Sequence, residues 1–394
     1  MMKRRIPFLL LSGVTLATAA LSVSAARPQT GSGETDGYRL VWQDLFDADV
    51  INPFRWNIEI SGSGNGNAEL QYYTDSENNV RLGDDGEGNH CLILTARREK
   101  YGAHDFTSGR VNSSNFVAFT HGKIEASIKL PRTADGLWPA FWMMGNDYTS
   151  VGWPACGETD ILEMGHSDGI LNRTQDRYFN GACHWGAAWP NKSYAQASTK
   201  SYSLQDDDFH LYTLIWDENE YRMYVDLDRY PLQTPYFRIN IARPAAADAD
   251  SPGSYFHKDN FIIFNLAVGG NFPGIHNAAG ITALSDENGQ EASMYVDFVK
   301  IYQKADDPQA TLFTAVDSDP IDDDTTGVGA TMATLPQLSI EGDTLVSAAG
   351  SRLTLYNAEG RMVGGSSGNR MELDTLPKGF YVAMAGGATL KFIR

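Results

Sequence analysis

Short apolar runs, broken every few positions by Gly, Pro, Asn or Asp, recur along most of this chain. "LILTA", "FIIFNLAV" and "YVDFVKIY" are examples. Each is rich in β-branched or aromatic residues, and such bounded runs read as strands. Beyond the N-terminus no long stretch keeps the helical period. The pattern predicts an all-β protein. It is continuous from "YRLVWQDLF" to "VDFVKIYQ", so residues 37–303 read as one domain. Residues 304–335 hold an acid run (Asp322 to Asp324) with Pro, Gly and Thr, and predict a linker. Residues 336–394 change character. "SRLTLYNAEGRMVGG" predicts two short strands around Asn357 to Gly360, a hairpin, and "FYVAMAGGATLKFIR" predicts two more. This second unit reads as a small β-sandwich.

A chain of 394 residues, 42% hydrophobic, suffices for one large core and a small second domain. The net charge of −18 argues against nucleic acid, whose phosphates demand a basic face. Residues 1–25 resemble a secretory signal. Lys3, Arg4 and Arg5 precede an apolar stretch from Phe8 to Leu21, and Val23-Ser24-Ala25 suits cleavage. A membrane anchor fits less well, because the apolar stretch is short and rich in small residues. The expectation is a monomer that is secreted or held at the cell surface. Three cysteines, Cys91, Cys156 and Cys183, cannot all pair. Either Cys156 and Cys183 form a disulfide, or all three are buried thiols; the second reading is favoured.

"GETDILEMGH" carries the candidate chemistry. Glu158, Asp160 and Glu163 lie within six positions, among apolar neighbours. In a strand, side chains alternate faces, so Glu158 and Asp160 share a face and Glu163 points away. A β-bulge at Ile161–Leu162 adds one residue and flips the phase, placing all three acids on one face. Two carboxyl groups on either side of a scissile bond are what glycoside hydrolysis requires; for retention they stand roughly 5–5.5 Å apart. Asp160, lying between them, would help keep one glutamate protonated while the other is ionised. The alternatives are a solvated acidic face or a three-carboxylate metal site.

Aromatic residues crowd the same region. In "GLWPAFWMMG", Trp138, Ala140 and Trp142 share one strand face and Phe141 takes the other. "GWPACGE" adds Trp153, and "ACHWGAAWP" adds His184, Trp185 and Trp189. Exposed indoles suit stacking on sugar rings; buried ones are core.

Together with "GNAELQYYT", "TSGRV", "GKIEASIKLP" and "NLAVGGNFPG", these motifs resemble glycoside hydrolase family 16 in order and spacing, over nearly all of residues 37–303. The Glu-x-Asp-x-x-Glu form is similar to the bulge-bearing, laminarinase-like branch. The resemblance implies a concanavalin-like β-jelly roll with an open cleft, and endo-acting, retaining cleavage of a β-linked polysaccharide. It implies Glu158 as nucleophile, Glu163 as acid/base and Asp160 as assistant, with no cofactor needed for the chemistry. By motif position, Asn67, Glu69, Arg110, Trp138, Trp142, Trp153, His184, Trp189 and Asn271 would line the cleft. For Arg110 and Glu69 an ion pair, mutual or with a neighbour, is the competing expectation.

Relatives in the family carry a structural calcium, to which Asp297 would contribute. The family's Asp-Glu-Phe is Asp44-Leu45-Phe46 here, which removes one expected ligand. The tail resembles a type IX secretion sorting domain, with a carbohydrate-binding or spacer module as the alternative; export would then engage both ends of the chain. The expected substrate is a β-1,3- or mixed-linkage β-glucan. Algal galactans, or glucan binding without cleavage, are the competing readings. Few cations lie near the motifs, which favours a neutral glucan; Lys192 and Lys200 are expected in a loop (186–203) within reach of the cleft.

Overall fold

A computed structural model describes residues 37–315, 338–341, 344–347, 353–357, 362–366, 369–385 and 388–394. The expected signal segment and most of the expected linker lie outside these residues. Among the described residues, no helix is long and apolar enough to cross a membrane.

Two sheets of ten and nine strands form the first unit. All pairings are antiparallel except that of Gln71–Tyr73 with Phe106–Ser108. The nine-stranded sheet runs Lys192–Thr199, Tyr178–Trp185, Glu158–Met164, Leu137–Gly145, Asn260–Val268, Arg110–Asn112, Asn57–Ile58, with Val117–Thr120 and Thr311–Thr314 beside this path. The stretch bearing the three acids is therefore an interior strand.

The alternation read from the sequence decides which face packs. Phe141, Met143, Ile161, Phe179, Ile262 and Phe264 turn inward and are fully buried. They meet Leu92, Leu94, Ile124, Ile128, Leu214 and Ile301 of the opposite sheet in one core. Phe141 stacks on Phe264 with centroids 4.9 Å apart. Burying such side chains drives the sheets together, and truncating a buried Phe to Ala costs about 3–5 kcal/mol. The result is the jelly-roll sandwich expected from the sequence.

Two expectations need correcting. Lys192–Thr199 is not loop: all eight residues pair in register with Tyr178–Trp185 at the sheet edge. It is almost wholly exposed, so it lacks the apolar face that marks a strand. Thr311–Thr314, assigned above to the linker, pairs with Val117–Thr120. Its Thr-Leu-Phe-Thr sequence suits a strand, and the Gln303 side chain donates to the Thr311 carbonyl at 2.7 Å.

Cys91, Cys156 and Cys183 are buried thiols that form no disulfide. In the tail, Leu353–Asn357 pairs with Met362–Ser366 and Phe380–Ala385 with Ala388–Ile393, as the sequence predicted. Leu338–Glu341, Thr344–Ser347 and Arg370–Glu372 form a second small sheet. Leu345, Leu353, Leu355, Leu373 and Tyr381 supply the tail's own core.

Candidate functional site

The Glu158–Met164 strand is bounded by two glycines with positive φ. Gly157 has φ 77°, and a Cβ there would press on Phe256 at 3.1 Å. Gly165 has φ 97°, and a Cβ would lie 2.0 Å from the Leu137 carbonyl oxygen. Only glycine enters and leaves the strand this way.

Between these ends lies the bulge. Toward Leu137–Gly145, Trp142 faces Asp160 and Phe141 faces Leu162, so Ile161 has no opposite number. Toward Tyr178–Trp185, Asp160 faces Ala182 and Glu163 faces Asn180, which leaves Gly181 opposite two residues. The Tyr236 hydroxyl donates to the Ile161 carbonyl and holds it in place. Ile161 and Leu162 are both fully buried. The extra residue returns Glu163 to the face of Glu158 and Asp160, as the phase argument required.

Each glutamate is held by an indole. Trp138 Nε1 donates to Glu163 Oε1 at 3.1 Å, and Trp153 Nε1 donates to Glu158 Oε2 at 3.1 Å. Asp160 lies between, with His184 Nε2 at 3.6 Å from its Oδ2 and at 3.9 Å from Glu158 Oε1. Asp160 Oδ2 is buried and accepts no hydrogen bond. Asn191, not anticipated from the sequence, holds His184 Nδ1 at 2.9 Å.

All three acids resist ionisation. Burial pushes Glu158 up to about 7, against the opposing pull of the Arg110 charge and the Trp153 N–H. Burial and then the Glu158 charge push Glu163 up to about 8, although the Trp138 N–H favours its charged form. Asp160 is raised well above the usual carboxylate range by burial and then by both glutamates. Like charges crowded along one half-buried strip cannot all ionise together, so the strip keeps protons at neutral pH. Burial also lowers the His184 pKa, favouring the neutral ring.

Around the acids the predicted aromatics take different places. Trp138 stacks on Phe272 at 4.7 Å and 11°. The Trp142 indole donates to Asn265 Oδ1 at 2.7 Å, and Arg110 lies over its ring at 4.9 Å. Trp153 and Trp189 are exposed neighbours, centroids 5.7 Å apart. Trp185, by contrast, is core. A stacked ring with a free face or edge suits a sugar.

Arg110 pairs with Glu59 at 2.9 Å rather than with Glu69. Glu69 instead accepts from Asn65, Gln71 and Tyr73, at 3.1, 2.5 and 3.3 Å. Tyr73 in turn accepts from Asn265, so Glu69 reaches Trp142 through a buried chain of hydrogen bonds. Asn67 and Asn271 are brought together by a backbone bond of 2.8 Å. Glu59, Asn265 and Phe272 were not anticipated; the last two lie inside the motif "NLAVGGNFPG", but nothing in the pattern singles them out.

Asp297 belongs to the other sheet, buried at the irregularity where Val296 and Phe298 pair with successive residues of Gly122–Lys129. Calcium takes six or more oxygens. Among the described residues, Asp297 is in no cluster of three carboxylate or histidine side chains able to share a cation. Asp44 is committed to the Trp56 indole at 2.9 Å and the Phe46 amide at 3.0 Å. These two side chains alone do not supply six oxygens; backbone carbonyls, which also ligate calcium, would have to make up the rest. The cluster that could hold a cation is Glu158, Asp160 and His184.

The profile of the glycosyl hydrolases family 16 matches residues 67–233. A glucan endo-1,3-β-glucosidase of Niallia circulans is 31% identical over 287 residues, covering 68% of this chain and 38% of that protein, so the chain spans well under half of that relative. A β-glucanase of Rhodothermus marinus is 30% identical over 290 residues, covering 72% of this chain and 92% of its own length. A Bacteroides ovatus family 16 protein of mixed-linkage glucan use, solved with a G4G4G3G product, is 38% identical with a TM-score of 0.57, covering 66% of this chain and 99% of that one.

Proposed function

The chain belongs to glycosyl hydrolase family 16, and from that premise we propose that it is an endo-acting, retaining β-glucanase that cuts internal bonds of β-1,3- or mixed-linkage glucans. The observation that carries this reading is the shared face of Glu158, Asp160 and Glu163, with each glutamate gripped by a different indole.

The chemistry follows from that arrangement. An oxygen of ionised Glu158 attacks the anomeric carbon while the bond to the leaving oxygen breaks. Protonated Glu163 delivers its proton to that oxygen. A glycosyl ester on Glu158 results. Water then attacks the same carbon, Glu163 takes the water's proton, and Glu158 leaves. Two inversions give net retention. Asp160, unionised between the glutamates, can donate to Glu158 and limits the repulsion that a second charge would add. Trp138, Trp142, Trp153 and Trp189 offer rings to successive sugars, and the Arg110 charge favours the ionised form of Glu158.

A neutral glucan is favoured over a sulfated galactan because the two cations near the edge strand are engaged. Lys192 faces Asp250 at 3.2 Å and Lys200 donates to Gln233 at 2.8 Å. Secretion is part of the same proposal and rests on the basic and apolar N-terminal sequence. The test is reducing-end release by the full chain from laminarin, barley mixed-linkage glucan, agarose and porphyran. Glu158→Gln and Glu163→Gln should each lose most glucan cleavage while remaining folded. Near-normal turnover by either variant removes the catalytic reading, and glucan binding without cleavage by the unaltered chain makes the protein a lectin.

A further inference from the structure

We propose that Glu158, Asp160 and His184 also form a three-ligand site for a borderline transition cation, with zinc as its best probe. One donor atom from each residue lies within 4.8 Å of the other two, and the cluster is unique among the described residues. His184 Nε2 stands 3.6 Å from Asp160 Oδ2 and 3.9 Å from Glu158 Oε1. Those gaps are too long for hydrogen bonds. Two ligands held about 2.1 Å from one tetrahedral ion stand about 3.4 Å apart, so the gaps to His184 need contractions of a few tenths of an ångström, and the two carboxylates, within 4.8 Å, must draw together to the same spacing.

A second observation points to a ligand there. Asp160 is 5% exposed, and its Oδ2, the atom facing His184, accepts no hydrogen bond. A buried polar oxygen left without a partner is costly, and a cation that displaces the Asp160 proton would satisfy it. The support around the histidine also suits metal binding. Asn191 lies 2.9 Å from His184 Nδ1. Turning its carboxamide presents an oxygen to Nδ1–H, which fixes the tautomer whose Nε2 lone pair faces the carboxylates. Side chains of Glu158 and His184 are 19% and 28% exposed, so an ion can enter and a fourth position stays open to water.

One nitrogen and two carboxylates are a zinc donor set; calcium and magnesium prefer more oxygens than these three residues give. The site itself stands without the catalytic reading. Its consequence rests on that reading: an ion that takes Glu158 and Asp160 blocks the nucleophile, so zinc inhibits reversibly.

The experiment is calorimetric titration of the chelator-stripped full chain with Zn²⁺, and visible absorption with Co²⁺ in its place. One equivalent should bind, with cobalt bands of a low-coordinate site. Folded His184→Asn and Asp160→Asn should each weaken zinc by at least about tenfold, the loss seen even when a residue merely supporting a ligand is changed. Excess Ca²⁺ or Mg²⁺ should not displace it. EDTA should restore glucan cleavage. Equal zinc affinity in the original chain and both variants, or no binding, overturns the site; so does displacement by calcium. Zinc bound through these residues in a chain that cuts no glucan keeps the site and removes the catalytic reading, whereas cleavage indifferent to saturating zinc overturns the inference.

Discussion

The two indoles offer a way to address each glutamate separately. Trp138→Phe removes the N–H that Glu163 accepts at 3.1 Å and keeps a ring to stack on Phe272. That N–H favours the charged carboxylate, so its loss raises the Glu163 pKa further. Glu163 must be protonated to act as the acid, and activity falls as pH rises through its pKa. The variant's alkaline limb should therefore move to higher pH. A hydrogen bond to a charged group is worth about 1.5–3 kcal/mol, or about one to two pKa units at 1.36 kcal/mol each. Water entering the gap recovers part of this, which leaves about one unit. Trp153→Phe acts on Glu158 instead. Glu158 must be ionised, so activity falls as pH falls through its pKa, and here the acid limb moves up. Trp153 is 37% exposed, so water replaces its N–H more fully and about half a unit is expected. The assay is kcat/KM against pH on laminarin for the unaltered chain and both variants. The limbs are properties of the coupled pair, but the perturbation is local to one carboxylate. If both variants move the same limb, or neither moves any, the assignment of acid and nucleophile is refuted.

Two further predictions concern the scaffold. Deleting Ile161 removes the extra residue yet leaves Glu163 on the face of Glu158; the deletion should cost about 2–5 kcal/mol of core packing but retain more cleavage than deleting Ile161 and Leu162 together, which sets Glu163 an odd number of positions from Glu158 and turns it inward. Equal loss in the two, measured on folded protein, would contradict the phase argument. His210 is clamped between Asp226 at 2.8 Å and Asp206 at 3.1 Å. Burial disfavours its charge, but the bonds and charges of the two aspartates outweigh burial and raise its pKa. Stability from the raised pKa is complete below about pH 6.5 and is lost as pH rises through the folded value. His210→Gln should thus lower Tm more at about pH 6 than at about pH 9, and an equal loss at both would show the clamp is not charge-dependent.

Much of this was legible in the sequence because alternation is a strong constraint. Three acids among Ile161, Leu162 and Met164 fit one face only with a bulge, and the bulge sits where that reasoning puts it. The strand bearing Trp138 and Trp142 read correctly for the same reason, since Phe141 between them is core. What escaped lacked a pattern. Lys192–Thr199 buries almost nothing and so showed no period-two signal. Glu59 meets Arg110 across a strand pair, at a sequence distance that no local motif records. Asn191 and Asn265 are single polar residues whose value lies wholly in what they hold, His184 and Trp142.

The most direct measurement is a proton NMR time course of laminarin cleavage by the full chain, read at the anomeric signals before mutarotation. With Glu158 as nucleophile and Glu163 as acid/base on one face, the β-anomer of the new reducing end appears first. An α-anomer appearing first would mean that water attacks directly from the far side, and the shared-face mechanism built on the bulge would be wrong.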